Sequence, residues 1–316
     1  MRQRKKRRSY ALAKAAGVLL LAAGAVLLWR GLGTAAEVQP ATADTQHVSD
    51  TRHVSDTQPV QDTQPVPVII LPASFGLLTN TIPVEEADDT GLLVLVNGTY
   101  AVTDEPYREE LACAYRVVPV RVADMHLRAE ALAALDALFD AAAGVGLDNL
   151  VFSSGFRDEG EQREIYVTSA DKSFVQPPGY SEHQTGLAAD IFALGVLEAA
   201  MPDSREGKWL AGNAARFGFI LRYPAGKEDV TGISYEPWHF RYVGAPHADY
   251  CEANGIVYEE YIRALQETGG YEWALDGVRW TVLYVRAEDG MIKVPGSGEW
   301  TASSDNTGGY ILTIRE

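Results

Sequence analysis

Cysteine is scarce in this chain. Its 316 residues include two cysteines, Cys113 and Cys251. Two cysteines cannot form the disulfide framework of a small secreted scaffold, and the lack of any Cys-x-x-Cys spacing argues against a thiolate metal site. In an exported protein the two residues could still pair, so the sequence leaves open one disulfide or two free thiols.

Basic residues are also scarce outside the N-terminus. The first 36 residues contain eight of the 27 lysines and arginines and none of the 43 acidic residues, so residues 37–316 carry a formal net charge of −24. Phosphate binding needs clustered lysine and arginine side chains. The sequence therefore predicts no nucleic-acid partner.

The N-terminus has the pattern of a membrane-targeting segment. A basic cluster at Arg2–Arg8 precedes an apolar run from Ala15 to Trp29. This run lies between the length of a signal-peptide core, about 7–15 residues, and that of a spanning helix, about 17–25 residues. We expect residues 1–36 to be a cytoplasmic basic tail and signal anchor, which makes the protein single-pass at the cytoplasmic membrane with the remainder outside. The alternative is a cleaved signal peptide and a secreted protein, since Gly33–Ala36 could be a cleavage site.

Residues 37–76 are expected to be a disordered linker. Four hexads follow one another, at Thr45–Asp50, Thr51–Asp56, Thr57–Asp62 and Thr63–Val68. Six residues are too few for a helical solenoid unit, and this polar composition cannot bury a core. We therefore expect the main folded domain at 77–267.

A compositional change marks residues 268–316. Aromatic and β-branched residues alternate there between turn signals at Asp276-Gly277, Asp289-Gly290 and Gly308-Gly309. This pattern predicts a small β-rich C-terminal appendage of three to five strands, without a catalytic constellation of its own. The simplest interpretation is a structural or accessory segment, and docking of a partner on it stays open.

Local patterns predict the elements of the main domain. The predicted strands are Gly91–Val96 followed by the turn Asn97-Gly98, Leu150–Ser153, Leu187–Leu194, Phe217–Tyr223 and Phe240–Val243. The predicted helices are Ala123–Ala143, Glu159–Val167 and Glu252–Glu267.

Two separated motifs carry the chemistry. The first runs Ser181-Glu182-His183-Gln184-Thr185-Gly186-Leu187-Ala188-Ala189-Asp190, and the second runs Glu236-Pro237-Trp238-His239-Phe240-Arg241. Together they supply two imidazoles, an aspartate and a further glutamate. A catalytic zinc site uses three protein ligands and keeps a fourth position open, and a nearby glutamate can act as the base for water.

Local geometry fits a site built from both motifs. Gly186 and the alternating run after it indicate a loop entering a strand, which can bring His183 and Asp190 together. Pro237 bends the chain after Glu236 and can place that carboxylate beside a metal rather than on it. Either histidine alone could be a core residue, so the prediction depends on their joint occurrence. His126 and His247 are interpreted as structural or as neighbours of the ligands, and Arg241 is interpreted as structural.

The two motifs, in this order, resemble those of the VanY-type D-alanyl-D-alanine carboxypeptidases, bacterial zinc peptidases of family M15, subfamily B. The resemblance extends to Ser154-Gly155-Phe156-Arg157 with Gln162, to Phe217–Pro224 and to Thr231–Tyr235. It covers roughly residues 90–265 and includes neither the hexads nor the C-terminal β-rich segment.

This resemblance implies a fold and a set of roles. The fold would be α+β, with helices around a central, mostly antiparallel sheet of the Hedgehog/D,D-peptidase-like type. One zinc ion (Zn2+) would be the cofactor. The implied roles are zinc ligation by His183, Asp190 and His239, general base and then acid catalysis by Glu236, binding of a substrate carbonyl or terminal carboxylate by Arg157, and substrate orientation by Ser181 and Gln162.

The function implied is that of a D,D-carboxypeptidase, which would remove the terminal D-alanine from pentapeptide stems of peptidoglycan. An L,D-carboxypeptidase acting on tetrapeptide stems is the alternative within the same chemistry. A non-catalytic wall-binding module is disfavoured because the three ligands and Glu236 are all present. A serine nucleophile is disfavoured because Ser181 has no adjacent lysine and no triad arrangement.

Overall fold

The computed structural model describes residues 68–69, 76–87, 91–102 and 105–316. The predicted membrane segment and nearly all of the predicted linker lie outside these ranges. Among the described residues, no helix combines the length and the apolar character needed to cross a membrane.

Strands and α-helices alternate from residue 126 to residue 254, and strands predominate on either side. The strands are β1 Val68–Ile69, β2 Asn80–Pro83, β3 Leu111–Cys113, β4 His126–Arg128, β5 Leu150–Ser154, β6 Ala188–Ala193, β7 Phe219–Leu221, β8 His239–Tyr242, β9 Gly270–Leu275, β10 Val278–Arg286, β11 Met291–Val294, β12 Glu299–Ser304 and β13 Gly309–Arg315. The α-helices are α1 Ala129–Gly144, α2 Glu159–Thr168, α3 Arg205–Asn213, α4 Glu228–Thr231, α5 Ala245–Asn254 and α6 Tyr258–Thr268.

A four-stranded antiparallel sheet forms the centre of the first half. Its order is β5-β6-β8-β7, so the expectation of an antiparallel sheet in a mixed α/β fold is confirmed. Residues Asp190 and His239 are direct partners in the β6–β8 ladder. Directly opposite side chains lie about 4.5–5.5 Å apart at Cβ. The pairing of these two strands therefore brings two predicted metal ligands together.

Helix α1 covers this sheet with an apolar stripe. Its side chains at Leu132, Leu135, Leu138 and Phe139 are buried in the same cluster as Phe152 of β5. The predicted start of the helix at Ala123 is wrong. Residues His126–Arg128 form β4 instead, because their backbone pairs with β3, a partner that local periodicity does not reveal.

The C-terminal residues form a second antiparallel sheet in the order β1-β9-β10-β13-β12. Five strands lie within residues 268–316, in agreement with the predicted β-rich composition. Segments from before the first motif complete this half, because β1 pairs with β9 and β2 pairs with β11. The turn at Asp276 and Gly277 has positive φ at both residues, which matches the twist of a tight hairpin.

An aromatic cluster fills the space between this sheet and the last helices. Tyr258 and Tyr261 of α6 are buried together with Tyr271 and Trp273 of β9. The prediction of one helix at Glu252–Glu267 is wrong, because α5 ends at Asn254 and α6 begins at Tyr258. Gly255 adopts a left-handed conformation that caps α5 and turns the chain.

The predicted strand at Gly91–Val96 is also wrong. In this described range the chain turns at Leu92 and Leu93 and is mostly buried, and it joins no strand ladder. Its backbone groups are bound by distant residues instead, as buried amides require. The bonds run from Arg241 Nη2 to Leu92 O (2.9 Å) and Val94 O (3.1 Å), from Tyr258 OH to Leu93 O (2.6 Å), from Leu93 N to Ser303 Oγ (2.8 Å) and from Leu95 N to Asp305 O (3.1 Å).

Both cysteines are free thiols. Cys113 is exposed on β3 and Cys251 is buried in α5. Of the two alternatives left by the sequence, the structure has the unpaired one.

Candidate active site

The first motif folds as a short 3-10 helix that turns into a central strand. The helix spans Glu182–Thr185, and Gly186 follows it with φ 71° before β6 begins. A side chain at this glycine would be strained by that φ, and its Cβ would come within 2.8 Å of Leu111 Cδ2. The loop predicted to enter a strand is therefore present.

Three predicted ligands converge. Ligand atoms of His183, Asp190 and His239 all lie within 4.8 Å of one another. Asp190 Oδ1 is 3.5 Å from His183 Nε2 and 3.1 Å from His239 Nδ1. Two imidazole nitrogens and one carboxylate oxygen are a donor set that suits zinc with one open position. The residues of this cluster therefore fit the metal.

Each imidazole has its other nitrogen occupied. His183 Nδ1 lies 2.7 Å from Gly155 O, and since a carbonyl only accepts, Nδ1 donates and Nε2 faces the cluster. In return, Arg157 N donates to His183 O at 3.2 Å. His239 Nε2 lies 3.4 Å from Glu182 Oε2, which leaves its Nδ1 toward Asp190. Such partners fix ring orientation and tautomer at metal sites.

Glu182 is a site residue that the sequence reasoning missed. Its carboxylate is fully buried. It accepts hydrogen bonds from Arg222 Nε at 2.8 Å and from Arg241 Nη1 at 3.2 Å. Burial alone would raise the pKa of Glu182, but the two guanidinium groups hold it well below its usual range. An acid next to a predicted ligand was the only local signal. Arg241, interpreted as structural, is thus connected to the site through Glu182.

The two histidines have opposite electrostatic environments. Burial and the nearby Arg157 charge lower the pKa of His183 to about 4. Burial also disfavours the charged form of His239, but hydrogen bonds to Asp190 and Glu182 outweigh it and raise its pKa to about 9. Burial likewise acts against ionised Asp190, yet the two histidines hold its pKa well below the ordinary value. The Asp190 carboxylate therefore stays ionised between the two imidazoles, where a cation would bind.

Glu236 lies beside the cluster. Its Oε2 is 3.7 Å from His239 Nδ1, and its backbone N–H donates to Tyr223 O at 3.0 Å. Burial raises the pKa of this carboxyl to about 8. An acid whose pKa lies near neutrality can both accept and return a proton, which is the property of a general base.

All the predicted site residues line one cleft of about 160 Å³. The indole of Trp238 stacks on Phe192 with centroids 5.6 Å apart. The lining residues are Arg157, Gln162, Phe174, Val175, Gln176, Ser181, Glu182, His183, Asp190, Tyr223, Ile233, Glu236, Trp238 and His239.

Two of these side chains leave a polar atom unused. Gln162 Nε2 donates to Gln176 O at 2.6 Å, but within the described structure neither Gln162 Oε1 nor Arg157 Nε has a hydrogen-bond partner. Burial lowers the pKa of Arg157, against the neighbouring charges of Asp190 and Glu236. Buried polar atoms without partners are uncommon in folded proteins. Both atoms are therefore suited to a bound ligand.

The other histidines stand apart from the cluster. His247 is buried against Tyr261 OH (2.6 Å) and Thr313 Oγ1 (3.0 Å). His126 lies in β4 with Asp124 at 3.6 Å. Within the described residues, neither is among the grouped metal-ligating side chains, in agreement with the structural interpretation.

Comparisons with known proteins show which family this chain resembles. The VanY family, described as D-alanyl-D-alanine carboxypeptidase, matches residues 124–245. A D-alanyl-D-alanine carboxypeptidase of Enterococcus faecium is 32% identical over 240 residues, which cover 73% of this chain and 77% of that protein.

Two solved structures are also similar. The vancomycin-resistance D,D-dipeptidase VanXYg, solved with a D-Ala-D-Ala phosphinate analog, has a TM-score of 0.65 at 30% identity, covering 75% of this chain and 99% of that one. The LD-carboxypeptidase LdcB has a TM-score of 0.50 at 37% identity, covering 54% and 86%. With this coverage and identity, and with the first and second motifs joined in one cleft, the chain belongs to the VanY family of D-alanyl-D-alanine carboxypeptidases.

Proposed function

We propose that this protein is a zinc-dependent D,D-carboxypeptidase that removes the terminal D-alanine from pentapeptide stems of peptidoglycan. The observation that carries the proposal is the convergence of His183, Asp190 and His239 beside the buried acid Glu236. The Enterococcus faecium relative, named for the same activity, supports the substrate class.

His183 Nε2, Asp190 and His239 Nδ1 would hold the zinc ion. When bound, zinc polarises a substrate carbonyl and makes a coordinated water more acidic. The chain has already oriented these donors, because Gly155 and Glu182 occupy the opposite nitrogens of the two rings. Little reorganisation of the ligands is then needed on binding.

Glu236 moves the proton. The oxygen of a water attacks the carbonyl carbon of the D-Ala–D-Ala bond while the Glu236 carboxylate accepts the proton of that water. The same carboxyl then donates the proton to the amine nitrogen as the C–N bond breaks, which releases free D-alanine. The first transfer requires an ionised carboxylate, and a nearby divalent cation favours that form by lowering the pKa of Glu236 from about 8.

Arg157 and Gln162 would bind the stem peptide. The free Nε of Arg157 can donate to an oxygen that gains negative charge during the attack, or to the terminal carboxylate. The free Oε1 of Gln162 can accept an N–H of the peptide. Ser181, buried in the cleft wall, adds a hydroxyl for orientation.

An L,D-carboxypeptidase acting on tetrapeptide stems is the second candidate. It is favoured by the likeness to the LD-carboxypeptidase LdcB, which covers 54% of the chain. The D,D reading is preferred because the similarity to the D,D-dipeptidase VanXYg covers 75% of the chain with the higher TM-score.

A location outside the cytoplasmic membrane is part of the proposal. The basic cluster at Arg2–Arg8 and the apolar run Ala15–Trp29 support a signal anchor in cells. Protease treatment of intact spheroplasts would digest the catalytic domain if this orientation is right. Protection of the domain until the membrane is lysed would contradict it.

A product assay tests the activity directly. The purified protein with zinc would be incubated separately with a pentapeptide stem ending in D-Ala-D-Ala and with the tetrapeptide, and products followed by mass spectrometry. Loss of one D-alanine from the pentapeptide alone is the expected result. Cleavage of the tetrapeptide alone would move the assignment to L,D. Cleavage of neither by zinc-loaded, folded protein would reject the proposal, and a Glu236→Ala protein serves as the inactive control.

A further inference from the structure

The Glu182 carboxylate divides its two oxygens between different tasks. Oε1 accepts one hydrogen bond from each arginine, from Arg222 Nε at 2.8 Å and from Arg241 Nη1 at 3.2 Å. Oε2 makes neither of those contacts and lies 3.4 Å from His239 Nε2. If Glu182 served only as a counter-ion for the arginines, the contacts of Oε1 would be sufficient. The second oxygen is directed at a predicted metal ligand.

The charge of Glu182 fixes the direction of that hydrogen bond. The two guanidinium groups keep the carboxylate ionised, and an ionised carboxylate only accepts. His239 must therefore carry its hydrogen on Nε2, and a neutral ring then has its lone pair on Nδ1. Nδ1 is the nitrogen that faces Asp190 and the cluster. A carboxylate–histidine–metal series of this kind orients the ring and raises the basicity of the ligand.

Glu182 is itself held in place from the other side. Arg222 continues to Glu259 of α6 through two bonds of 2.8 and 2.6 Å, and Asn97 Nδ2 donates to the same carboxylate at 3.1 Å. Arg241 is anchored on the carbonyls of Leu92 and Val94. Two carboxylates thus balance two guanidinium groups in a buried network, and the network leaves Glu182 little freedom to turn away from His239.

We propose that Glu182 is a positioning residue, which holds His239 with Nδ1 toward the metal and does not itself touch metal or substrate. The inference rests on the proposed zinc site and adds to it a carboxylate outside the ligand set. The simpler reading, that Glu182 only neutralises Arg222 and Arg241, predicts effects on stability but none specific to metal affinity.

A matched pair of variants separates the two readings. Glu182→Gln and Glu259→Gln remove the same charge from the same network, but only the first alters the partner of His239. Zinc affinity would be measured on the purified protein by competition with a chromophoric chelator, with circular dichroism and thermal unfolding as folding controls. Glu182→Gln is expected to weaken zinc binding about 10–100-fold, the usual range for such outer partners. Glu259→Gln is expected to lower stability and to weaken zinc binding less than that.

The outcomes are distinct. Unchanged affinity in Glu182→Gln, or equal losses in both variants, would overturn the positioning role while leaving the zinc site intact. A wild-type protein that binds no zinc would overturn the proposed function itself.

A measurement on the wild type covers the case in which Glu182→Gln does not fold. Imidazole ¹⁵N chemical shifts of the zinc-loaded protein report which nitrogen of His239 is coordinated. Coordination through Nδ1 with a protonated Nε2 is expected. Coordination through Nε2 would overturn the inference.

Discussion

Two buried histidines show how the halves of this molecule differ. His239 on β8 lies between the carboxylates of Asp190 and Glu182, which raise its pKa to about 9 despite burial. His247 on α5 is equally buried but faces the hydroxyls of Tyr261 and Thr313, and burial lowers its pKa to about 3. The imidazole of His239 therefore favours the protonated form, whereas that of His247 favours the neutral form.

The buried groups around the two sheets differ in the same way as the two histidines. Around the four-stranded sheet, buried ionised groups such as Glu182, Arg222 and Arg241 form a connected network. Around the C-terminal sheet, rings and hydroxyls such as Tyr261 and Tyr271 predominate. Burying a charge is costly unless it is paired, and perturbed charges concentrate at functional sites. The contrast therefore favours a functional site beside the four-stranded sheet, independently of any motif.

Exchanging the two histidines for glutamine would give the largest contrast. His239→Gln should lose zinc and lower activity by more than about 10³-fold, because it removes a ligand on which the attack depends. His247→Gln should keep one zinc and near-normal kcat/KM. Metal content by mass spectrometry and stem-peptide hydrolysis would measure both. Loss of zinc in both variants would remove the distinction between the two sites.

Glu236→Gln separates the base from the ligands. We expect kcat to fall about 10²–10⁴-fold, the usual contribution of a general base, while zinc stays bound. The comparison is with His239→Gln in the same metal and rate assays. If Glu236→Gln also lost its zinc, the carboxylate would be a ligand and the division of roles would be wrong.

Arg157→Met tests charge stabilisation in the cleft. Loss of one preorganised donor to a developing negative charge costs about 10²–10³ in kcat. Arg157→Lys keeps the charge without the fork of donors and should recover part of that loss. Wild-type rates in both variants, with substrate at saturation, would assign Arg157 to packing alone.

His247 should make the protein acid-sensitive. Its pKa is about 3 in the folded state and about 6.5 when unfolded, so the unfolded state binds the extra proton as pH falls below 6.5. The contribution of His247 to the free energy of unfolding is therefore complete above pH 6.5, and it falls by roughly 3 kcal/mol by pH 4. Urea unfolding at a series of pH values should show a shallower decline in His247→Gln. Parallel declines would show that other groups dominate.

The positions of the candidate ligands were accessible from sequence because both motifs fall on adjacent strands. Asp190 and His239 meet through one antiparallel pairing, and Gly186 marks the turn that adds His183. Helix α2 was predicted at Glu159–Val167 and spans Glu159–Thr168. The capping box of Asp158 and Glu161 is a local signal for its start.

Features that depend on distant partners were not accessible. The apolar run at Gly91–Val96 reads the same for a strand as for a buried segment bound by side chains. Residues His126–Arg128 fit a helical pattern but pair with β3. The role of Glu182 depends on arginines 40 and 59 residues away, and no local pattern contains them.

The segment around Leu93 and Leu95 can complete its folding only after the C-terminal residues are present. Their amides bond to Ser303 and Asp305, more than 200 residues later in the chain. During synthesis this early stretch cannot complete its hydrogen bonds until the ribosome has passed residue 305. Contacts so distant in sequence slow folding, because a large loop must close before they form. This apolar stretch is synthesised early and stays exposed until its partners have been made. Chaperone binding to it is most favourable during that interval.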